Sequence, residues 1–244
     1  MNVLLCIKQV PDTETVITEN FSFESANTIL NPDDEFALEQ IQYIKKDFPT
    51  SKILAVRIGP EYSQDILFKA LALGADEAHL LLQDPFASSQ ETTKNIFDYL
   101  HSINFLPDLI LTGRKSSDHN QESFPQKLSA LFKINFFPEV IKLQKLSEEK
   151  LLLESKIEKN LSIETSFPLT ISCIKGLNEP KIIPLPKLIA AKKKSLIKNS
   201  SYLKKNSIKL LFEEKKHKVS WIKTYNSVED IKELLKELRV QKIL

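Results

Sequence analysis

Short apolar runs alternate with segments of helical periodicity through the first half of the chain. The first pair is the apolar run at residues 3–7 and a helix that begins at residue 32. The next three pairs are 52–58 with 61–73, 75–82 with 88–101, and 108–112 with 121–132. Strands that alternate with helices in this way form a mainly parallel sheet with helices on both faces. We therefore predict an α/β fold, whose ligands would bind beyond the carboxyl ends of the strands.

Glycine is scarce, and this restricts how a phosphate group could be held. The chain has only four glycines, Gly59, Gly74, Gly113 and Gly176. This number and spacing exclude the GxGxxG dinucleotide fingerprint and the Walker phosphate loop. A phosphate would have to be held by helix N-termini and side chains instead.

The first predicted helix has a polar start. Asn31 suits the N-cap, Pro32 suits the first helical position, and the acidic side chains of Asp33 and Asp34 favour the positive end of the helix dipole. The pattern fits a helix that simply starts well, and it fits equally a helix that lines a ligand site.

A polar loop follows the fourth predicted strand. Its glycine permits a sharp bend, its cations bring positive charge, and its short polar side chains precede a helix, which makes it a candidate anion site. A polar loop that only caps the helix is the alternative. The candidate residues are Gly113, Arg114, Asp118, Asn120, Gln121 and Ser123.

The pattern changes after Pro138. Residues 140–145, 151–157 and 169–174 are short apolar runs without helices between them, which predicts antiparallel strands that extend the sheet. Residues 176–225 show no helical period, and Ser227 begins a strong final helix. We expect an α/β domain over residues 1–175 and an extended C-terminal arm over residues 176–244.

The segment over residues 175–194 combines three prolines with several apolar residues. Proline removes a backbone donor and restricts the preceding residue, so the segment cannot be a central strand or a helix that continues through Pro186. Its apolar side chains indicate either a surface that meets another protein or a crossing that packs on its own chain.

Charge is distributed unevenly along the chain. Residues 1–175 contain 17 basic and 25 acidic residues, whereas residues 176–244 contain 17 and 7. A basic arm can bind an acidic partner or an anionic surface, or it can be a solvated face. The lysine run at 192–194 lacks the interleaved aromatic residues typical of nucleic-acid binding, so we expect no nucleic-acid partner.

Cysteine and histidine give no sign of catalysis or metal binding. Cys6 and Cys173 lie in apolar runs, which favours reduced, buried thiols in a cytoplasmic protein. The sequence contains no run of 18 apolar residues, so we predict no membrane-spanning helix. The N-terminus shows no pattern of a secretory signal. The histidines lie in unrelated settings and are expected to be structural, although His119 falls in the polar loop after the fourth strand.

Five stretches, in order, resemble one known family. They are VLLCIKQVPDT from Val3, NPDDEFALEQ from Asn31, IGPEYSQDILFKALALGADEAHLL from Ile58, DLILTGRKSSD from Asp108, and LNEPK, LP and AAKKK within the segment at 175–194. Together they resemble the electron transfer flavoprotein beta subunit family over nearly the whole chain. The resemblance implies a Rossmann-like fold of the adenine nucleotide alpha hydrolase-like type, with an antiparallel extension and a C-terminal arm.

The resemblance also implies a function. The chain would pair with an alpha subunit that binds most of a shared FAD, and it would bind AMP. The heterodimer would carry electrons from flavin dehydrogenases, such as acyl-CoA dehydrogenases, toward a quinone-linked acceptor. It would be an electron carrier and not an enzyme with bond-making chemistry of its own, since the flavin supplies the chemistry.

Specific residues match the family's binding and recognition motifs. In the family the segment at 175–194 is a recognition loop whose exposed leucine, matched here by Leu185, anchors partner dehydrogenases. The residues that would contact partners are Pro184, Leu185, Pro186, Leu188 and Ile189. The residues that would line the nucleotide site are Cys6, Asn31, Pro32, Asp33, Asp34, Ile58, Gly113, Arg114, Asp118, Asn120, Gln121 and Ser123.

The loop after the fourth strand departs from the family pattern. The family commonly reads GKQAID there, whereas this chain reads GRKSSDHNQESFP. Asp118 matches, but the segment after it is shorter. AMP, a second FAD as in bifurcating members, and an empty site in a scaffold subunit all remain open, as does a stand-alone adenine-nucleotide-binding enzyme.

Overall fold

Residues 1–12, 27–84, 87–157, 160–202 and 227–240 are described by a computed structural model. The strands are β1 (Asn2–Cys6), β2 (Gln9–Pro11), β3 (Thr28–Leu30), β4 (Lys52–Gly59), β5 (Glu77–Leu82), β6 (Leu109–Gly113), β7 (Asn135–Lys145), β8 (Lys150–Ser155), β9 (Leu161–Ser166), β10 (Leu169–Cys173) and β11 (Ile197–Asn199). The helices are α1 (Pro32–Asp47), α2 (Asp65–Leu73), α3 (Ser89–Ser102), α4 (Ser123–Phe132), α5 (Leu185–Lys192) and α6 (Val228–Val240). The chain divides into two units, Met1–Ile208 and Lys209–Leu244.

A large sheet organises the first unit. Its described strands have the order β11-β5-β4-β1-β6-β10-β7-β8-β9, and every neighbouring pair from β11 to β7 is parallel. The chain runs outward from β1 to β4 and β5 and then crosses to β6 on the other side of β1. The strand order therefore reverses between β1 and β6, and their carboxyl ends form a topological switch point. The expected α/β fold is confirmed.

Alternate residues of each central strand face different helical layers. Val3 and Leu5 pack with α1 and α2, whereas Leu4 and Cys6 pack with α3 and α4. Each face of the sheet is thus covered by a pair of helices, as buried parallel strands require. Helix α3 begins where the sequence predicts, with the Ser88 hydroxyl accepting the Glu91 backbone N–H at 3.1 Å.

The strands after α4 differ in part from the prediction. The pairs β7–β8 and β8–β9 are antiparallel, as expected for an extension of the sheet. Strand β10, however, inserts between β6 and β7 and is parallel to both. All five of its residues are buried, whereas β9 alternates in exposure. A strand covered on both faces belongs inside a parallel sheet, so the prediction of an antiparallel strand over residues 169–174 was wrong.

Helix α5 was not predicted by the sequence. It begins at Leu185, which places Pro186 in the first turn, where its missing N–H is not needed by the helix. The expectation that residues 176–225 contain no helix was therefore wrong for these eight residues. The helix packs against α2 and buries Ala191 there. Strand β11 then pairs with the outer edge of β5.

Two further elements lie outside the large sheet and its helices, namely the short strand β3 and the final helix α6. Strand β3 precedes α1 and pairs antiparallel with β2, while residues 13–26 lie outside the described residues. In the second unit α6 begins after Ser227, as predicted. The Ser227 hydroxyl accepts the Asp230 N–H at 3.1 Å, and the Asp230 carboxylate accepts the Ser227 N–H at 3.0 Å.

Candidate functional site

A cavity of about 160 Å³ lies at the switch point. Its walls come from the carboxyl ends of β1, β4, β5 and β6 and from the starts of α1, α3 and α4. The sequence predicted a site at this edge because parallel strands all present their carboxyl ends there. The described part of the chain contains no group of three side chains that could hold a metal ion.

Asp34 connects the two strands on either side of the switch point. Its carboxylate accepts the Lys8 N–H at 2.7 Å and the Gly113 N–H at 2.9 Å, so one side chain bonds the ends of both β1 and β6. Only 5% of Asp34 is exposed. Burial raises the pKa of this carboxyl to about 7, against the opposing effect of the two backbone N–H bonds.

Gly113 is required by this close approach. A Cβ at position 113 would overlap Asp34 Oδ1 and would lie 2.8 Å from the backbone of Asp33 and Asp34. Its φ lies outside the left-handed region, so space and not a sharp bend explains the glycine. The N-terminus of α1 is thereby seated directly against the end of β6.

Asn31 stabilises the polar loop after β6. It occupies the N-cap position of α1, as predicted, but its side chain makes no capping bond with its own helix. The side-chain amide donates to the Lys115 carbonyl at 2.8 Å, and its oxygen accepts the Ser117 N–H at 3.0 Å. Asn31 also donates its backbone N–H to the Lys8 carbonyl at 2.8 Å. One residue thus holds the loop against β1.

Lys8 and Asp118 form an ion pair at the mouth of the cavity. The Lys8 ammonium lies 2.7 Å from the Asp118 carboxylate and 3.2 Å from Nδ1 of His119. Burial would raise the pKa of Asp118, but the Lys8 ammonium outweighs it and lowers this pKa to about 2. Burial lowers the pKa of Lys8, and the neighbouring Arg57 acts in the same direction.

Arg114 is surrounded by carboxylates. Its guanidinium lies 3.1 Å from Glu139, 3.6 Å from Glu122 and 3.8 Å from Asp33. Glu139 reaches this position from a bulged part of β7 with a positive φ of 50°. The hydrogen bond to Glu139 raises the pKa of Arg114. Arg114 lines the cavity, but its charge is already balanced by acids.

The opposite wall is formed largely by apolar side chains and a buried amide network. The apolar side chains belong to the layer that packs on α3 and α4 and include Cys6, Val56, Ile58, Ile96 and Phe124. Burial raises the pKa of the Cys6 and Cys173 thiols, and both cysteines are free. The Gln83 side chain donates to Thr92 at 2.9 Å and accepts from Asn95 at 2.7 Å, which fixes the start of α3 against β5.

The structure brings together most residues suggested for the nucleotide site. Those that line the cavity are Cys6, Asn31, Asp34, Ile58, Gly113, Arg114, Asp118 and Gln121. Those that lie beside it without lining it are Pro32, Asp33, Asn120 and Ser123. Sequence reasoning missed Lys8 and Arg57, although each could be recognised as a cation placed at the carboxyl end of a buried strand.

The segment at 175–194 combines both interpretations that the sequence left open. Its first part packs on the chain: Asn178 donates to the Phe36 carbonyl and to Gln40, each at 2.9 Å. Its later part is exposed, with Ile182 at 97% and Leu185 at 67%. Pro184, Pro186 and Ile189 are also exposed, whereas Leu188 is half-buried. Leu185 is the first residue of α5 and therefore not part of an extended loop.

Known proteins provide a separate comparison. No protein-family model matches the chain. The chain is 31% identical over 207 residues to the electron transfer flavoprotein subunit beta of Thermoanaerobacterium thermosaccharolyticum, which covers 81% of this chain and 77% of that protein. The chain belongs to the electron transfer flavoprotein beta subunit family. The resemblance drawn from the five motifs is confirmed.

Two further proteins are similar to this chain at the same level of identity. The subunit beta of Bacillus subtilis is 31% identical over 205 residues, with 80% of this chain and 77% of that protein covered. The caffeyl-CoA reductase-Etf complex subunit CarD of Acetobacterium woodii is 31% identical over 188 residues, with 74% and 71% covered. In the described part of the chain no helix is both long enough and apolar enough to span a membrane.

Proposed function

We propose that this chain is the beta subunit of a heterodimeric electron transfer flavoprotein. An alpha subunit would bind most of a shared FAD, which supplies the redox chemistry when bound. The heterodimer would be cytoplasmic, and it would carry electrons from flavin dehydrogenases, such as acyl-CoA dehydrogenases, toward a quinone-linked acceptor. Similarity to beta subunits over about four-fifths of the chain supports this role.

The cavity at the switch point is proposed to hold an adenine nucleotide, with AMP as the first candidate. The residues fit such a ligand: the apolar wall at Ile58 and Cys6 suits a base, and the polar rim at Lys8 and Ser116 suits a phosphate. The observation that carries the proposal is the buried guanidinium of Arg57, which lines this cavity with Nε unpartnered. A buried cation with an unpartnered donor and no carboxylate partner among the described residues suggests that an anionic acceptor belongs in the cavity.

The chain's own residues would orient the ligand and shield it from water. Asp34, Asn31 and Gly113 hold the ends of β1 and β6 and the loop in one arrangement before a ligand arrives. Such preorganisation reduces the ordering cost of binding. We assign no bond-making step to these side chains, so the chain acts as a carrier subunit.

Partner binding is proposed for the arm over residues 176–244. The exposed apolar residues at the start of α5 would contact a dehydrogenase, with Leu185 as the anchor. One apolar side chain in a partner's pocket can supply much of an interface's affinity. The excess of basic residues in the arm would favour acidic partner surfaces and speed their association. Residues 1–175 would then form the nucleotide-binding domain.

The decisive experiment is to purify the chain with its alpha subunit and identify the nucleotides released on denaturation by chromatography. One FAD and one AMP per heterodimer is the expected result. Two FAD would indicate a bifurcating protein. FAD alone would favour a second candidate, a scaffold subunit that binds no nucleotide of its own. The ion pairs of Lys8 with Asp118 and of Arg114 with Glu139 also support this candidate, because both cations already have carboxylate partners. Turnover of ATP by the isolated chain would instead indicate an enzyme.

A further inference from the structure

Arg57 occupies an unusual position for a charged side chain. It lies near the carboxyl end of β4, within a run in which every residue from Ile53 to Gly59 is buried. Only 8% of Arg57 is exposed, and it lines the cavity from the β4 side of the switch point. Burial lowers its pKa to about 10, so the guanidinium remains charged at neutral pH.

The donors of this guanidinium are largely unused. Arginine has five N–H donors and no acceptor. Nη1 donates to the adjacent Ile58 carbonyl, whereas Nε is buried without a hydrogen-bond partner. Arg57 forms no ion pair with a carboxylate anywhere in the described ranges. Removing an unpaired charge from water is costly unless a counter-charge is supplied.

The acids near Arg57 already have partners. One carboxylate oxygen of Asp34 accepts the Lys8 N–H, and the other accepts the Gly113 N–H. Asp118 is held by the Lys8 ammonium. Neither carboxylate can turn toward Arg57 without breaking these bonds, so the described residues leave this guanidinium without a carboxylate partner.

Gly59 makes room for this arrangement. A Cβ at position 59 would lie 2.6 Å from Nη2 of Arg57, so the guanidinium folds back over the glycine at the end of the strand. The contrast with Arg114 is informative, because Arg114 lies on the same cavity but faces three carboxylates. Nε is buried without a hydrogen-bond partner in both arginines, but among the described residues only Arg114 has carboxylates beside it. Of these two arginines, Arg57 is therefore the one whose charge is left for a ligand to balance.

We propose that Arg57 binds a phosphate group of the cavity's ligand from the β4 side. The proposal rests on the nucleotide role given above and names the residue that would select a phosphorylated ligand. The planar guanidinium offers paired N–H donors that match two phosphate oxygens, which a lysine ammonium cannot reproduce. A nucleotide would therefore be distinguished from its nucleoside mainly at Arg57.

Calorimetric titration of the full-length chain with AMP and with adenosine tests this assignment. Arg57→Gln should weaken AMP binding about 10- to 100-fold, because a hydrogen-bonded charged contact is lost, and should leave adenosine binding unchanged. Arg57→Lys should fall between Gln and wild type for AMP. Lys46→Gln, which removes an exposed positive charge from the last turn of α1, controls for net charge and should change neither affinity. Circular dichroism verifies that each variant folds.

The outcomes separate this inference from the proposed function. Equal losses for AMP and adenosine, or no loss, would overturn the role of Arg57 while leaving a nucleotide site intact. If the wild-type chain binds neither AMP nor adenosine, pyrophosphate serves as the probe. Pyrophosphate binding that depends on Arg57 would then support the phosphate site without a nucleoside, and its absence would overturn the inference together with the nucleotide role.

Discussion

The Asp34 carboxylate accepts the backbone N–H of Gly113 at 2.9 Å, although the two residues are 79 positions apart in the chain. The same carboxylate accepts the Lys8 N–H, so the first turn of α1 bonds both strands of the switch point. In many nucleotide-binding folds a glycine-rich loop shapes this edge. Here a buried side chain and one glycine without space for a Cβ do so instead.

Gly113→Ala is expected to destabilise the fold by at least about 2 kcal/mol, because the added Cβ would overlap Asp34 and force α1 away from β6. Urea unfolding measures this loss. Gly176→Ala is the matched control: its φ of 112° is strained for alanine, but its nearest neighbour would be 3.5 Å away. The control should lose about 1 kcal/mol. Similar losses at both positions would contradict the steric explanation.

The burial of Asp34 should make folding stability fall as the pH rises. Its pKa is about 7 in the folded chain, against about 3.9 in an unfolded one. Between these values the folded chain keeps a proton that the unfolded chain has lost, so stability decreases through this window by up to about 1.4 kcal/mol per pH unit. Stability relative to Asp34→Asn should therefore decline from about pH 4 to pH 7 and level off above it. A constant difference would show that Asp34 stays ionised.

Asp118 should have the opposite dependence. Lys8 lowers its pKa to about 2, below the unfolded value, so its contribution is complete above about pH 4 and is lost as the pH falls toward 2. Because the pair is partly exposed, we expect Asp118→Asn to cost about 1 kcal/mol at neutral pH. Thermal melts of both proteins should converge only at about pH 2. Curves that stay parallel would mean that the ion pair adds no stability.

Leu185→Ala should weaken coupling to a partner dehydrogenase without lowering the melting temperature, because the side chain is 67% exposed. Electron transfer from the dehydrogenase, followed by flavin absorbance, measures the coupling. Leu106→Ala is the control, since Leu106 is 60% exposed in the loop before β6, outside the proposed recognition segment. A lower melting temperature with unchanged coupling would make Leu185 a packing residue.

The sequence predicted the elements that follow a simple period. The alternation of apolar runs and helical segments was enough to place the four strand–helix pairs of the first half, because each element buries its own periodic face. These elements are β1, α1, β4, α2, β5, α3, β6 and α4. Strand β10 was misplaced because a five-residue run does not state which neighbours it pairs with. Helix α5 was missed because Pro186 was taken as a break, although a first-turn proline is compatible with a helix.

The candidate site was predictable in position but not in detail. Asn31, Asp34 and Gly113 were chosen from local rules for helix starts and bends. Their observed roles depend instead on contacts between distant parts of the chain. Arg114 drew attention because it lies in a polar loop, while Arg57 was overlooked because it lies in an apolar strand. Only the packing shows that the first is balanced by acids and the second is not.

The position of β10 has a consequence for how the chain is made. During synthesis β6 is complete long before its neighbour β10 emerges, since the β7–β8–β9 excursion lies between them. Until then β6 presents an open edge to other chains. Strand β10 is therefore the strand that covers the open edge of β6. A chain truncated before residue 169 would keep that edge exposed and would be prone to aggregate.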